Sequence, residues 1–194
     1  AVAGGMCDLD AVRTVRFRGR FMEHAAPEGT GAMSAVLGLD AAVIEDVLNG
    51  RNGVSIANYN CPGQIVITGE AEAVAEAGTA LKEAGARRVL PLKVSGPFHS
   101  PMMKPAGEEL AKVFAGVSMN PLKIPYVANI NAEVITDCGK IEELLVQQVS
   151  GSVRWQQSVE TMIREGVDTF VEIGPGKTLT GFLRKIDKNV KSYH

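Results

Sequence analysis

At 194 residues, 45% hydrophobic and 22% charged, the chain is long enough for one sizeable core, with or without a small appended subdomain. A net charge of −2 leaves no footprint for nucleic acid or an anionic membrane. Its longest apolar runs, such as Ile65-Val66-Ile67, are strand-sized and too short to span a bilayer. Cys7, Cys61 and Cys138 are odd in number, far apart and outside any CxxC pair. They read as reduced thiols of a cytoplasmic protein, with no disulfide framework and no metal site. Ala1-Val2-Ala3-Gly4-Gly5 offers neither a signal peptide nor an initiator methionine, so the sequence reads as starting inside a longer protein.

In chain order, Asp8 is placed as the N-cap of a helix over 8–26, stopped by Pro27-Glu28-Gly29. A short apolar strand over 32–37 and a helix over 41–48 follow. Two β-branched runs, 54–58 and 64–68, join at the turn Cys61-Pro62-Gly63. An alanine-rich helix over 70–84 leads to a strand over 88–94. The order βαββαβ is the ferredoxin-like pattern. Further on, Ser100 caps a helix opened by Pro101 and kinked or restarted at Pro105, with Leu110, Val113 and Phe114 as its apolar stripe. The run 124–130 reads as a strand of a parallel sheet covered on both faces. Helices near 140–149 and 155–165, a strand over 169–173 and a last helix ending near 186 complete an α/β fold.

Three constellations carry chemistry. In Ser95-Gly96-Pro97-Phe98-His99-Ser100-Pro101 the histidine stands between the end of a strand and the start of a helix, where open α/β sheets place their sites. The positive helix end disfavours imidazolium, so a neutral ring able to accept a proton is expected. On residues alone, His99 is either such a base or a loop histidine with no role. His24 and His194, at a helix end and at the terminus, are weaker candidates. Arg18 falls on the apolar stripe with Ala11, Val15, Met22 and Ala25, while Arg13, Arg16 and Arg20 face the other way. It is either a buried ion pair or snorkelling side chain, or a guanidinium fork for a substrate carboxylate. Gly174-Pro175-Gly176-Lys177-Thr178 ends like a phosphate loop, but Val171 stands where the first glycine is required, so a tight packing turn is expected.

Together these segments resemble the malonyl-CoA:acyl carrier protein transacylases of bacterial type II fatty-acid synthesis. The match includes Arg18-Gly19 with Phe21-Met22, Pro27-Glu28-Gly29-Thr30-Gly31-Ala32-Met33 and Ala57-Asn58-Tyr59-Asn60-Cys61-Pro62-Gly63-Gln64. It continues through Phe98-His99-Ser100-Pro101-Met102-Met103, Val153-Arg154-Trp155 and Glu172-Ile173-Gly174-Pro175-Gly176-Lys177. The resemblance implies an α/β-hydrolase-like acyltransferase core, partial here, over 1–29 and 96–194, with a ferredoxin-like subdomain inserted over 30–95. It implies malonyl transfer from malonyl-CoA to the phosphopantetheine thiol of acyl carrier protein, with no cofactor, metal, nucleic acid or membrane involved. His99 matches the histidine that activates a serine and later protonates the leaving thiol. Arg18 matches the arginine that holds the malonyl carboxylate. Gln148 matches the residue whose backbone carbonyl orients the histidine, in place of a protease aspartate. Asn60 and Gln64 match positions near pantetheine, and Phe98 is similar to the malonyl-type version of its motif.

The nucleophile of the family is missing. Its Gly-His-Ser-x-Gly elbow is expected roughly eight residues upstream of Ala1, and the family's N-terminal Gly-Gln-Gly segment, which helps form the oxyanion hole, is absent as well. No GxSxG occurs in the chain. None of Ser34, Ser95 and Ser100 is expected on a strand–turn–helix elbow opposite His99, and nothing near Cys61 is expected to lower its pKa. This polypeptide alone is therefore expected to form no acyl-enzyme, and to expose apolar surface where sheet strands would pack. The alternative is a non-catalytic fragment that keeps the fold as a carrier-protein binding module.

Overall fold

A computed structural model describes residues 1–94 and 96–194; Ser95 lies outside the described residues. Two packed units build the molecule around separate apolar clusters, and the α/β class expected from the sequence is observed.

Helix α1 (Asp8–His24) begins one residue earlier than expected at its cap. Cys7, not Asp8, is the N-cap, its Sγ accepting from the Asp10 amide at 3.4 Å. Asp8 and Asp10 lie in the first turn, where carboxylates complement the helix dipole.

Strands β1 (Gly31–Leu37), β2 (Val54–Cys61), β3 (Gln64–Glu70) and β4 (Arg88–Pro91) alternate with α2 (Ala41–Leu48) and α3 (Ala71–Glu83) in the order β1-α2-β2-β3-α3-β4. Their sheet runs β2-β3-β1-β4, with every neighbouring pair antiparallel. Val36, Ile56, Ile65 and Ile67 face α2 and α3, where Ile44, Val74 and Leu81 close the layer. The opposite face carries Met33, Ala35, Ala57 and Val66, and Phe98 packs against it. Burial on both faces explains why β1 and β3 read as unbroken apolar runs.

The second unit packs α1 against α4 (Lys104–Phe114) and α5 (Ile141–Ser150). Met22, Met103, Leu110, Phe114, Ile141 and Val149 fill the space between them. Pro101–Met103 is a separate 3₁₀ turn capped by Ser100, and α4 restarts with Pro105 in its first turn, where its missing N–H costs nothing. Strand β5 (Tyr126–Ala128) pairs antiparallel with β6 (Glu133–Ile135). The parallel strand expected over 124–130 is thus corrected to one arm of a hairpin. Asn131 makes the turn: its Oδ1 accepts from the Glu133 amide at 3.2 Å, and Ala132 follows at φ 60°, sending the chain back on itself. After α6 (Trp155–Arg164), β7 (Thr169–Val171) pairs parallel with β8 (Lys191–Tyr193), and α7 (Thr178–Ile186) connects them.

Val12 and Val15 on α1, and Val171 and Ile173 at β7, are exposed; Ile173 is 91% accessible. No helix among the described residues is long and apolar enough to cross a membrane.

Candidate active site

The segment after β4 brings His99 to the junction of the two units. Pro97 is buried and accepts the Ser100 hydroxyl at its carbonyl, 2.7 Å away. The same hydroxyl oxygen accepts from the Met102 amide at 3.2 Å. Between these anchors His99 takes φ 60°, a left-handed conformation costing a non-glycine residue about 1–3 kcal/mol. Strain of this kind persists only where the surroundings over-determine it. Here Ser100 is fully buried, and Phe98 packs against both the helical cluster of Met22 and Met103 and the sheet face of Met33 and Val66.

The imidazole meets the carboxyl end of α5. The last carbonyls of a helix have no intrahelical partner. His99 Nδ1 lies 3.0 Å from the Gln148 carbonyl oxygen and 3.1 Å from that of Gly151. Two oxygens at Nδ1 require the proton there, because a lone pair would repel both. Nε2 is left as the basic nitrogen, with no hydrogen-bond partner among the described residues.

The ring's pKa is lowered from its ordinary value, first by burial. The Gln148 and Gly151 carbonyls oppose this by favouring the protonated ring, and the Arg18 charge adds to the lowering. Burial is the largest of these causes, and it acts by disfavouring the charged ring.

Arg18 shares a cavity of about 400 Å³ with His99, walled by Met22, Met33, Asn58, Leu92, Val94 and Phe98. Burial lowers its pKa. No carboxylate is paired with it among the described residues, the one ion pair found being Lys112–Glu109 on the surface. The buried ion pair left open by the sequence is therefore absent among those residues. The stripe expected around Arg18 also needs correction. Met22 is buried and Ala11 and Ala25 pack on the core, whereas Val15 is 68% exposed. A larger groove of about 970 Å³ follows the outer side of α1 and shares only Gly19 and Phe98 with this cavity.

Asn60 and Gln64 do not line the His99 cavity. They lie where β2 turns into β3, and Gln64 Oε1 accepts from Lys185 Nζ of α7 at 3.3 Å. Asn58 does line it and was not singled out by sequence reasoning. Strict alternation puts 58 and 60 on one face. The register shifts at Ile56/Asn58 and Tyr59/Cys61 break that alternation, and an irregularity of this kind has no signature in the sequence.

Ser34 is buried in β1, and Ser100 is committed to its turn. Cys61 is buried, and burial raises its pKa against the opposing charge of Lys185. In the Gly174–Thr178 turn the Glu172 carboxylate occupies the start of α7. It accepts from the Leu179 amide at 3.1 Å, the Thr180 amide at 2.8 Å and the Thr180 hydroxyl at 2.7 Å. An anion-binding helix end is already filled by the chain's own carboxylate.

A half-buried histidine held at Nδ1 and a guanidinium with no carboxylate partner among the described residues thus share one cleft of an α/β fold. The sequence model of the acyl transferase domain family matches residues 1–193, and the chain belongs to that family.

Within it, the chain is 46% identical over 194 residues to the malonyl CoA-acyl carrier protein transacylase of Bacillus subtilis (strain 168). It is 47% identical over 190 residues to the enzyme of that name from Escherichia coli (strain K12). These alignments cover 98% and 95% of this chain and 61% of each relative. The crystal structure of the malonyl CoA-acyl carrier protein transacylase from Clostridium perfringens superposes with a TM-score of 0.95 at 41% identity, covering 99% of this chain and 62% of that one. A solved complex of a type II PKS acyl-carrier protein with its malonyl-transacylase superposes at 0.91 and 41% identity, covering 99% and 63%. The chain is thus a homologue of malonyl-CoA:acyl carrier protein transacylases that spans about 61% of their length.

Proposed function

We propose that this chain supplies the general base and the carboxylate clamp of malonyl transfer from malonyl-CoA to the pantetheine thiol of acyl carrier protein. The nucleophilic serine comes from a family segment that these residues do not contain. The observation that carries this reading is one cavity holding both a proton-accepting His99 and an arginine with no carboxylate partner.

In the first half-reaction His99 Nε2 takes the serine proton as the oxygen attacks the thioester carbonyl. The ring returns that proton to the coenzyme A sulfur as the C–S bond breaks, leaving a malonyl-serine ester. In the second half-reaction the pantetheine thiol gives its proton to Nε2 and attacks the ester. The serine oxygen leaves with that proton. The Gln148 carbonyl orients the ring throughout, as the aspartate does in a protease triad. Arg18 takes the malonyl carboxylate through its guanidinium fork. An acetyl group leaves that cation unpaired, which disfavours acetyl transfer. Asn60 and Gln64 are assigned to the approach of the pantetheine arm.

The architecture that accompanies this reading is a partial α/β-hydrolase-like core over 1–29 and 96–194. A ferredoxin-like subdomain is inserted over 30–95, supported by the β2-β3-β1-β4 sheet order with α2 and α3 on one face. The exposed Val171 and Ile173 beside β7 support strands packing there from the missing segment.

The test joins the chain to a family segment bearing the Gly-His-Ser-x-Gly elbow and compares malonyl with acetyl transfer. Without the segment no malonyl label becomes covalently bound. With it, Arg18→Ala lowers the malonyl-to-acetyl ratio by roughly tenfold to a hundredfold, in line with losing a charge-assisted hydrogen-bonded pair. An unchanged ratio refutes the clamp, and covalent labelling of the isolated chain refutes the missing nucleophile.

A further inference from the structure

The Gln148 carbonyl accounts for only part of the contact at His99 Nδ1. The Gly151 carbonyl lies almost as near, 3.1 Å against 3.0 Å. Gly151 is the residue at which α5 ends, and its own amide donates back to the Gln147 carbonyl at 2.9 Å. Nothing in the helix ladder fixes where the Gly151 oxygen points. The Gln148 side chain does so. Its Nε2 donates to the Gly151 carbonyl at 3.0 Å and to the Ser152 carbonyl at 3.2 Å. Ser152 is fastened in turn, its hydroxyl donating to the Ile56 carbonyl of β2. Val153 then donates to the Ala57 carbonyl at 2.7 Å and accepts from the Tyr59 amide at 2.9 Å.

We infer that the Gln148 side-chain amide is a positioning group: it holds the Gly151 carbonyl as a second acceptor for His99 Nδ1–H. One residue thus orients the ring twice, through its own carbonyl and through its side chain. The inference rests on the proposed role of His99 for its functional meaning, but its geometry can be tested without any acyl transfer.

The physical consequence is a single tautomer. With one acceptor the ring can swing and exchange tautomers, whereas two acceptors at Nδ1 confine it. Both carbonyls also favour the charged ring, against burial and against Arg18 on α1, the charged group that bears on it. Loosening one of them lowers the ring's proton affinity further.

The experiment is long-range proton–nitrogen NMR on the 194-residue chain with labelled histidine. Only three histidines are present, and His99→Asn assigns the signal. The unmodified chain gives a pure Nδ1–H pattern for neutral His99, and the carbonyl carbons of both Gln148 and Gly151 shift with its titration. Gln148→Met keeps the backbone carbonyl and removes the amide. It converts His99 to a mixture of tautomers with a lower midpoint, while His24 and His194 stay unchanged. A Gly151 carbonyl carbon indifferent to the His99 titration overturns the inference without any variant, as does a Gln148→Met spectrum that superposes on the parent at His99. Failure of malonyl transfer with these NMR results intact overturns the functional reading alone.

Discussion

Replacing Arg18 by methionine separates two accounts of a half-buried arginine. If Arg18 were a structural ion pair, removing it would strand a carboxylate and cost about 3–5 kcal/mol. No such carboxylate is paired with it among the described residues. Methionine keeps an unbranched stem of similar reach on the cavity wall beside Met22 and Phe98, so the packing change is expected to stay within about 1 kcal/mol. Removing an uncompensated, partly desolvated charge acts in the stabilising direction. With a urea slope of about 2 kcal/mol per molar, the ion-pair account moves the unfolding midpoint down by roughly 1.5 M or more. The present account keeps it within about 0.5 M of the parent, or raises it. Urea unfolding followed by circular dichroism, at equal slope, reads the difference. A fall of about 1.5 M would refute the assignment of Arg18 as a cation kept free for a ligand.

Glu172→Gln tests the filled end of α7. The Thr180 amide, then its hydroxyl and the Leu179 amide, hold the Glu172 carboxyl below its ordinary pKa. The folded value being depressed, its stabilising contribution is present above the unfolded pKa and is lost as pH falls through the folded one. The parent should melt above the variant at neutral pH, and the gap should close in acid; a gap independent of pH contradicts the assignment. Met103→Ala, at a side chain with no exposure between α1, α4 and α5, should cost about 2–5 kcal/mol by urea unfolding. A cost below about 1 kcal/mol would mean that the site collapses to fill the space.

The sequence carried the small sheet well, because apolar runs and a Cys-Pro-Gly turn are local signals that burial on both faces reinforces. It failed at 124–130, where an asparagine turn makes a hairpin from a run that looks like a buried strand. Lys191–Tyr193 left no trace, since a polar three-residue edge strand exists only through its pairing with β7. For the site, His99 stood out by its place between strand and helix, yet its φ of 60° and its second carbonyl partner had no signature. Those features come from packing between segments far apart in sequence. Burial, the first cause of the lowered pKa of the ring, also had no signature, since desolvation depends on what surrounds the ring. Asn58 was hidden by the bulges of β2.

The central claim is that His99 is the base that moves the proton in malonyl transfer. It is tested most directly by joining the chain to the family segment that carries the serine elbow. Transfer of malonyl from malonyl-CoA to carrier protein is then measured for the parent and for His99→Ala at matched folding. The account predicts a loss of at least about a hundredfold, the lower end of what a general acid–base contributes. Transfer by the variant within a few-fold of the parent would contradict it.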